Sequence, residues 1–232
     1  MANICVIHPT ISKESAEYLA QEMGWDVCNP FKENKRDFSE YLGVFNYGCN
    51  RKIVAKNVIN KSKSVATCIN KVATYEVFKK AGVPTVAYVT NKRLIPKDWE
   101  TVVVRKEVDG AQAKDLDYWY PKDGSGNPCP EGALFTEYFP HVRELRVVVF
   151  CEKVVAVYKK VDQLGSWEFV PITFSVCKGQ VAADAITAAK ALDIDYVGFD
   201  VLVAEDGSYR FLEANTGAIL THGVLKKIKQ YL

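Results

Sequence analysis

The chain has 232 residues, 48% of them apolar and 25% charged, enough to bury a substantial core as one large domain or as two lobes. Its 30 Lys and Arg against 28 Asp and Glu leave a net charge of +2, with no excess that advertises a polyanionic partner. No run approaches the ~20 apolar residues that span a bilayer, and the seven cysteines and three histidines are too scattered for a zinc site or a disulfide framework.

The opening MANICVIHPTIS carries neither a basic region nor a cleavage signature, which predicts a cytosolic protein with no membrane partner. NICVIHP reads as a buried strand and ISKESAEYLAQEM as an amphipathic helix ended by Gly24. VFNYG is a second strand and RKIVAKNVINKS is expected to be helical. Strand alternating with helix predicts a small α/β unit over residues 1–66.

NKVATYEVFKKAGVP predicts a helix stopped at Gly82 and Pro84, followed by the strands TVAYVT and TVVVRKEV, the second buried at its three valines. DGAQAKDLDYWYPKDGSGNPCPEG, residues 109–132, has no sustained period and reads as a functional loop or a plain surface excursion. ALFTEYF, LRVVVF, KVVAVYKK and EFVPITF follow as strands with connections too short for crossover helices, so most of them pair antiparallel. VAADAITAAKALDI is a helix, GFDVLVAEDGSYRFLEANTG a hairpin and THGVLKKIKQYL a terminal helix.

The hairpin carries the sharpest chemical signal. A two-residue Asp206-Gly207 loop, with Glu205 facing Ser208, places Asp200 opposite Glu213, and a period of two brings Asn215 to the same face. Two carboxylates beside Phe199, Val201, Leu202 and Leu212 are costly without a cation or a proton. Carboxylate and carboxamide oxygens suit Mg2+ or Mn2+, with phosphate completing the shell; polar strand ends are the plain alternative. Basic groups that could meet phosphate are Lys71, Arg105, Lys106, Arg143, Arg146, Lys159 and Lys160. Arg146 stands out because it interrupts the apolar strand ELRVVVF, whereas Lys159 and Lys160 also read as a solvated strand end. Neither GxxxxGK[ST] nor a GxGxxG after Val6 occurs.

The order of these segments resembles the ATP-grasp superfamily, in the branch of ribosomal-protein glutamate ligase and phage-encoded carboxylate-amine ligases, over about residues 66–220. NKVATYEVFKKAGVPT resembles the Asn-Lys-led helix that opens the nucleotide-binding region, with Lys71 at its start. TVVVRK resembles the strand whose basic residue meets the nucleotide phosphates, here Arg105 in place of the more usual Lys. DGAQAKDL resembles the phosphate-covering loop, with Ala111 and Ala113 where glycines are common. FTEYFP resembles the strand that holds adenine through Glu137 and the Tyr138 backbone. HVRELRVVVF resembles the acidic-x-Arg strand, which implies Glu144 near ribose or the covering loop and Arg146 near phosphate or acyl phosphate. GFDVLV with FLEANTG aligns Asp200, Glu213 and Asn215 with the Mg2+ ligands.

The resemblance implies an α/β (α+β) ATP-grasp fold: a small α/β domain over 1–66, then two lobes over 67–141 and 142–232 that hold nucleotide between them. It implies ATP-dependent joining of a small-molecule or peptide carboxylate to an amine acceptor through an acyl phosphate, with ATP and Mg2+ (or Mn2+) as cofactors and Arg146 and Lys159 as catalytic groups. It also implies a cytoplasmic setting, that of the host if the chain is virus-encoded. Ala111, Ala113 and Arg105 motivate a second reading, an ATP-binding module without ligation, and a macromolecular acceptor is a third. The sequence leaves the oligomeric state open.

Overall fold

The computed structural model describes residues 4–109, 116–122, 124, 126–163, 166–173 and 179–231, with the main chain alone at 162, 163, 166 and 167. Strand β1 (Ile4–Ile7) is a short apolar run covered on both faces, and α1 (Lys13–Met23) follows it. Gly24 closes α1 in the left-handed region at φ 66°, its N–H reaching the carbonyls of Ala20 and Gln21. β2 (Asp26–Cys28), β3 (Gly43–Asn46) and β4 (Val58–Ile59) complete a parallel sheet in the order β2-β1-β3-β4.

The helix expected over RKIVAKNVINKS does not form. Val54 pairs with the 36–38 segment instead, with Phe38 N–H donating to Val54 O and Val54 N–H to Arg36 O, both at 2.8 Å. Asn60, at φ 64°, accepts from the N–H groups of Asp195 and Tyr196 through its side-chain oxygen. The β-branched Ile53, Val54, Val58 and Ile59 suit pairing, and tertiary bonds win over a weak helical pattern. The helix α2 begins only at Ser62 (Ser62–Ile69).

Asn70 caps the next helix, α3 (Lys71–Lys80), accepting from Ala73 N–H at 2.9 Å. A four-stranded antiparallel sheet follows, from β5 (Tyr88–Val89), β6 (Val102–Arg105), β7 (Leu116–Trp119) and β8 (Leu134–Glu137), ordered β5-β8-β6-β7. β7 lies in the stretch expected to be irregular: Leu116 to Trp119 pair along β6, and an edge strand exposed on one side needs little apolar period.

The largest sheet is antiparallel and ordered β11-β10-β9-β12-β13, from β9 (Arg143–Phe150), β10 (Lys153–Gln163), β11 (Ser166–Pro171), β12 (Tyr196–Val203) and β13 (Tyr209–Asn215). Helix α4 (Gln180–Ala191) precedes β12, and α5 (His222–Tyr231) follows the hairpin. One sheet face packs Val147, Val149, Phe199, Val201 and Phe211 against α3 and α4. On the other face Val148, Phe150, Tyr158 and Tyr196 meet Val6, Leu19, Phe45 and Tyr47 of the first sheet and its helix, with Leu225 and Ile228 of α5. β9 is therefore buried on both sides, which explains its unbroken run of valines.

Candidate functional site

The β12–β13 turn holds three residues, not the two expected. Ala204 faces Ser208, with the Ala204 N–H donating to Ser208 O at 2.8 Å, and Gly207 supplies the positive φ of 85°. A bulge at Leu212 then restores the register, since Val201 pairs with Phe211 but Asp200 with Glu213. Asp200 stands opposite Glu213, and Asn215 opposite Gly198.

On the other side of β12, Asp200 pairs with Arg146 of β9. The guanidinium grips the carboxylate side-on: Nε donates to Oδ1, and Nη2 donates to Oδ2 at 2.8 Å. Asn215 is best satisfied with its amide nitrogen donating to Glu213 Oε1 at 2.7 Å and its oxygen accepting from Arg146 Nη2 at 3.2 Å. The reverse orientation leaves only a 3.4 Å contact to Asp200 Oδ2. Burial alone would lower the Arg146 pKa, but Asp200, with Glu213 and Glu144 behind it, outweighs that and holds it above its ordinary value.

Lys71, at the first turn of α3, brings a second cation, its Nζ 3.8 Å from Glu213 Oε2. Burial pushes its pKa below the ordinary 10.5, with Glu213 pulling it back and the nearby Arg105 adding to the fall. Arg105 ends β6, and its buried Nε has no hydrogen-bond partner among the described residues; the same holds for the Tyr75 hydroxyl one turn along α3 from Lys71. A buried donor left unpaired is expensive, and an anion entering beside Lys71 and Arg105 relieves it.

The cost of burying Asp200 and Glu213 is met in this structure by Arg146 and Lys71. The oxygen-only set of Asp200, Glu213 and Asn215 still fits Mg2+ or Mn2+, because each carboxylate oxygen accepts at more than one position. Among the described residues no group of three or more His, Cys, Asp or Glu gathers as a metal site. Burial chiefly raises the thiols of Cys5, Cys28 and Cys68 to about 12, the wrong direction for nucleophiles.

Lys159 does not join this group. It pairs with Leu145 and shares the apolar face of Val147 and Val201, whereas the adjacent Lys160 shares the Arg146 face and donates to Glu144 Oε1 at 2.5 Å. Neighbouring strand residues point to opposite faces, so Lys159, expected as a catalytic group, stands on the face away from Arg146. Glu137 ends β8, Tyr138 follows it, and both are exposed; their N–H groups already donate to Ala87 O and Thr101 O, each at 2.9 Å. The Tyr138 ring lies 6.3 Å from Tyr118 and 6.0 Å from His141 between centroids. Gly110, Ala111 and Ala113 of the covering-loop expectation lie outside the described residues. Sequence reasoning missed Gly198 and Phe169: a Cβ at Gly198 would sit 2.7 Å from Arg146 Cδ, and the Arg146 Cζ lies 4.6 Å from the Phe169 ring centroid. The glycine two residues before Asp200 was a readable signal; Phe169 required the register.

No family model and no curated protein matches the chain. Among solved structures it is similar to the ATP-grasp ligase PsnB complexed with minimal precursor, Mg and ADP, at 15% identity and a TM-score of 0.68, covering 94% of this chain and 89% of that one. It is similar to D-alanine-D-alanine ligase from Bacillus anthracis complexed with ATP, at 14% identity and a TM-score of 0.67, covering 100% and 92%. It also resembles the macrocyclase MdnC bound with precursor peptide MdnA from Microcystis aeruginosa, at 11% identity and a TM-score of 0.60, covering 94% and 92%. The chain has the α/β fold of the ATP-grasp ligases. No helix among the described residues is long and apolar enough to cross a membrane.

Proposed function

We propose that this chain is an ATP-dependent carboxylate-amine ligase that works through an acyl phosphate and releases ADP. The observation that carries the reading is the convergence of Asp200, Glu213, Asn215 and Arg146 on one half-buried sheet face, with the Lys71 ammonium of α3 reaching Glu213, in a fold shared with ATP-grasp ligases. Lys71 and Arg105 take the phosphates, the main chain around Glu137 and Tyr138 borders adenine, and Glu144 anchors Lys160 beside them. Asp200, Glu213 and Asn215 would hold Mg2+, which when bound would supply positive charge that stabilises the phosphates.

In the first step an oxygen of the substrate carboxylate attacks the terminal phosphorus of ATP, and the bond to the bridging oxygen breaks as ADP leaves. Arg146 holds an anionic oxygen of the transferring group, and Lys71 compensates charge on the phosphates. The acceptor amine then attacks the activated carbonyl carbon, loses a proton and expels phosphate. Neither step needs a side-chain nucleophile. PsnB and MdnC are each complexed with a precursor or precursor peptide, which motivates peptides as the first substrates to try.

The test is ADP release with Mg2+ across a panel of carboxylates and amines, with mass detection of product. The D200N/E213Q double variant is expected to lose metal-dependent turnover while retaining its far-ultraviolet spectrum. Tight ATP binding by the wild type with no product from any pair supports the non-ligating module instead.

A further inference from the structure

A guanidinium offers five N–H donors in a rigid fork. In Arg146 the Nε hydrogen and one Nη2 hydrogen go to Asp200, and the second Nη2 hydrogen goes to the Asn215 oxygen. That leaves both hydrogens of Nη1, a nitrogen with no partner among the described residues. Two further contacts fix the plane. The aliphatic stem crosses Gly198, where any Cβ would meet Arg146 Cδ at 2.7 Å, and the charged face lies on the Phe169 ring with Cζ 4.6 Å from the centroid. Phe169 is itself held: from β11 it pairs with Lys160 of β10, and it packs against the core that contains Tyr158 and Phe45.

We propose that Phe169 is a positioning residue, which with Gly198 confines Arg146 in a slot so that the paired Nη1 hydrogens form the donor for the substrate's carboxylate or acyl-phosphate oxygen. The oxyanion role rests on the ligase reading above; the confinement does not. Asp200 holds one edge of the guanidinium, and each time that grip opens the group can turn about its Nε–Cζ bond, which exchanges Nη1 and Nη2. An aromatic face opposes the turn, and an aliphatic side chain of similar size fills space without the quadrupole that holds a cation.

Two measurements separate these parts. The first is the nitrogen-15 spectrum of the arginine guanidinium groups in the ligand-free chain, with R146K identifying the Arg146 signals. Resolved Nη1 and Nη2 signals are expected in wild type and F169Y, and merged signals in F169L, whose unfolding midpoint is checked to show that it folds. Signals in F169L as resolved as in wild type overturn the positioning role, because packing alone then suffices. The second is ADP release: F169L is expected to lower kcat roughly two- to thirty-fold with the KM for ATP unchanged, and F169Y to restore it. A rise in KM for ATP at constant kcat overturns the assignment to the reacting oxygen. Wild type that binds ATP but releases no ADP overturns the oxyanion role along with the ligase reading, and the spectra still decide the confinement.

Discussion

The two faces of the five-stranded sheet are built to different ends from the same strands. From Leu145 onward the odd positions of β9 and β12 (Leu145, Val147, Val149, Phe199 and Val201) are apolar and seal against α3 and α4; Arg143 is the one charged odd position, at the exposed start of β9. Even positions change partway: Val148, Phe150 and Tyr196 are covered by the first sheet and α5, but Glu144, Arg146 and Asp200 are charged. The change falls between Val148 and Arg146 in β9 and at Gly198, which pairs with Val148, in β12. Charge is concentrated where the cover ends, and the opposite face supplies the rigidity that holds it.

The largest effect expected from breaking this division is on the sealed face. Phe199 sits edge-on to Phe78 and Phe211 at centroid distances of 5.9 and 5.6 Å and is fully buried. Phe199→Ala should cost about 3–5 kcal/mol, read as a lower denaturant midpoint. On the charged face Asp200→Asn leaves Arg146 buried without its counter-charge, at a cost of about 3–5 kcal/mol at most. The Arg146→Met, Asp200→Leu double variant should unfold later than Asp200→Asn alone, because neither charge is then stranded. A double-mutant cycle by denaturant titration checks this, and additive costs would mean that the pair is not coupled.

How much of this was legible from sequence differs between the faces. The apolar face follows from runs such as VVVF, where burial and alternation agree. Arg146 was visible as a single charge inside an apolar strand, and the Asp200–Glu213 pair was reached, but through two offsets that cancel: the turn is one residue longer than expected, and the Leu212 bulge returns the residue. Nothing in FLEAN announces a bulge, because Leu212 continues an ordinary strand composition. Lys159 and Lys160 are adjacent and alike, and only the β10–β9 register tells which shares the Arg146 face. The 51–62 segment misled for another reason: its partners, the 36–38 segment and Asp195, lie elsewhere in the chain, and local pattern carries no record of them.

Lys71 gives a test of the cation that α3 carries from the sealed side to Glu213. Its folded pKa lies below 10.5, so charging it in the folded protein is disfavoured relative to the unfolded chain. That penalty is fully present below the folded pKa and is relieved as pH rises through it toward 10.5, so this residue makes the ligand-free protein more stable over that window. Nucleotide needs the charged form. ATP affinity should therefore fall over the same window, with a midpoint below 10.5, and Lys71→Arg should move the fall out of range because arginine stays protonated. Titration calorimetry with ATP at a series of pH values checks it, and a fall unchanged in Lys71→Arg would assign it to another group.

The smallest effect belongs to the far end of the sheet, where no ligand is proposed. Cys151 and Glu152 form the two-residue β9–β10 turn with φ of 45° and 61°, a conformation that suits Asn and Gly. Glu152 gains something from its place through a 2.9 Å ion pair with Lys190, but both side chains are more than half exposed and the pair is worth little. Cys151 has no such contact, and its N–H donates to Asp195 O whatever side chain it carries. Cys151→Asn keeps that bond and tolerates the left-handed region, so it should stabilise the protein by about 0.5–1 kcal/mol. ATP affinity should not change, because the turn touches only the end of the sheet that the N-terminal cover already seals. A shift in ATP affinity alongside the stability gain would mean that the two ends of β9 are coupled, and that the covered end of the sheet helps to set the geometry of Arg146.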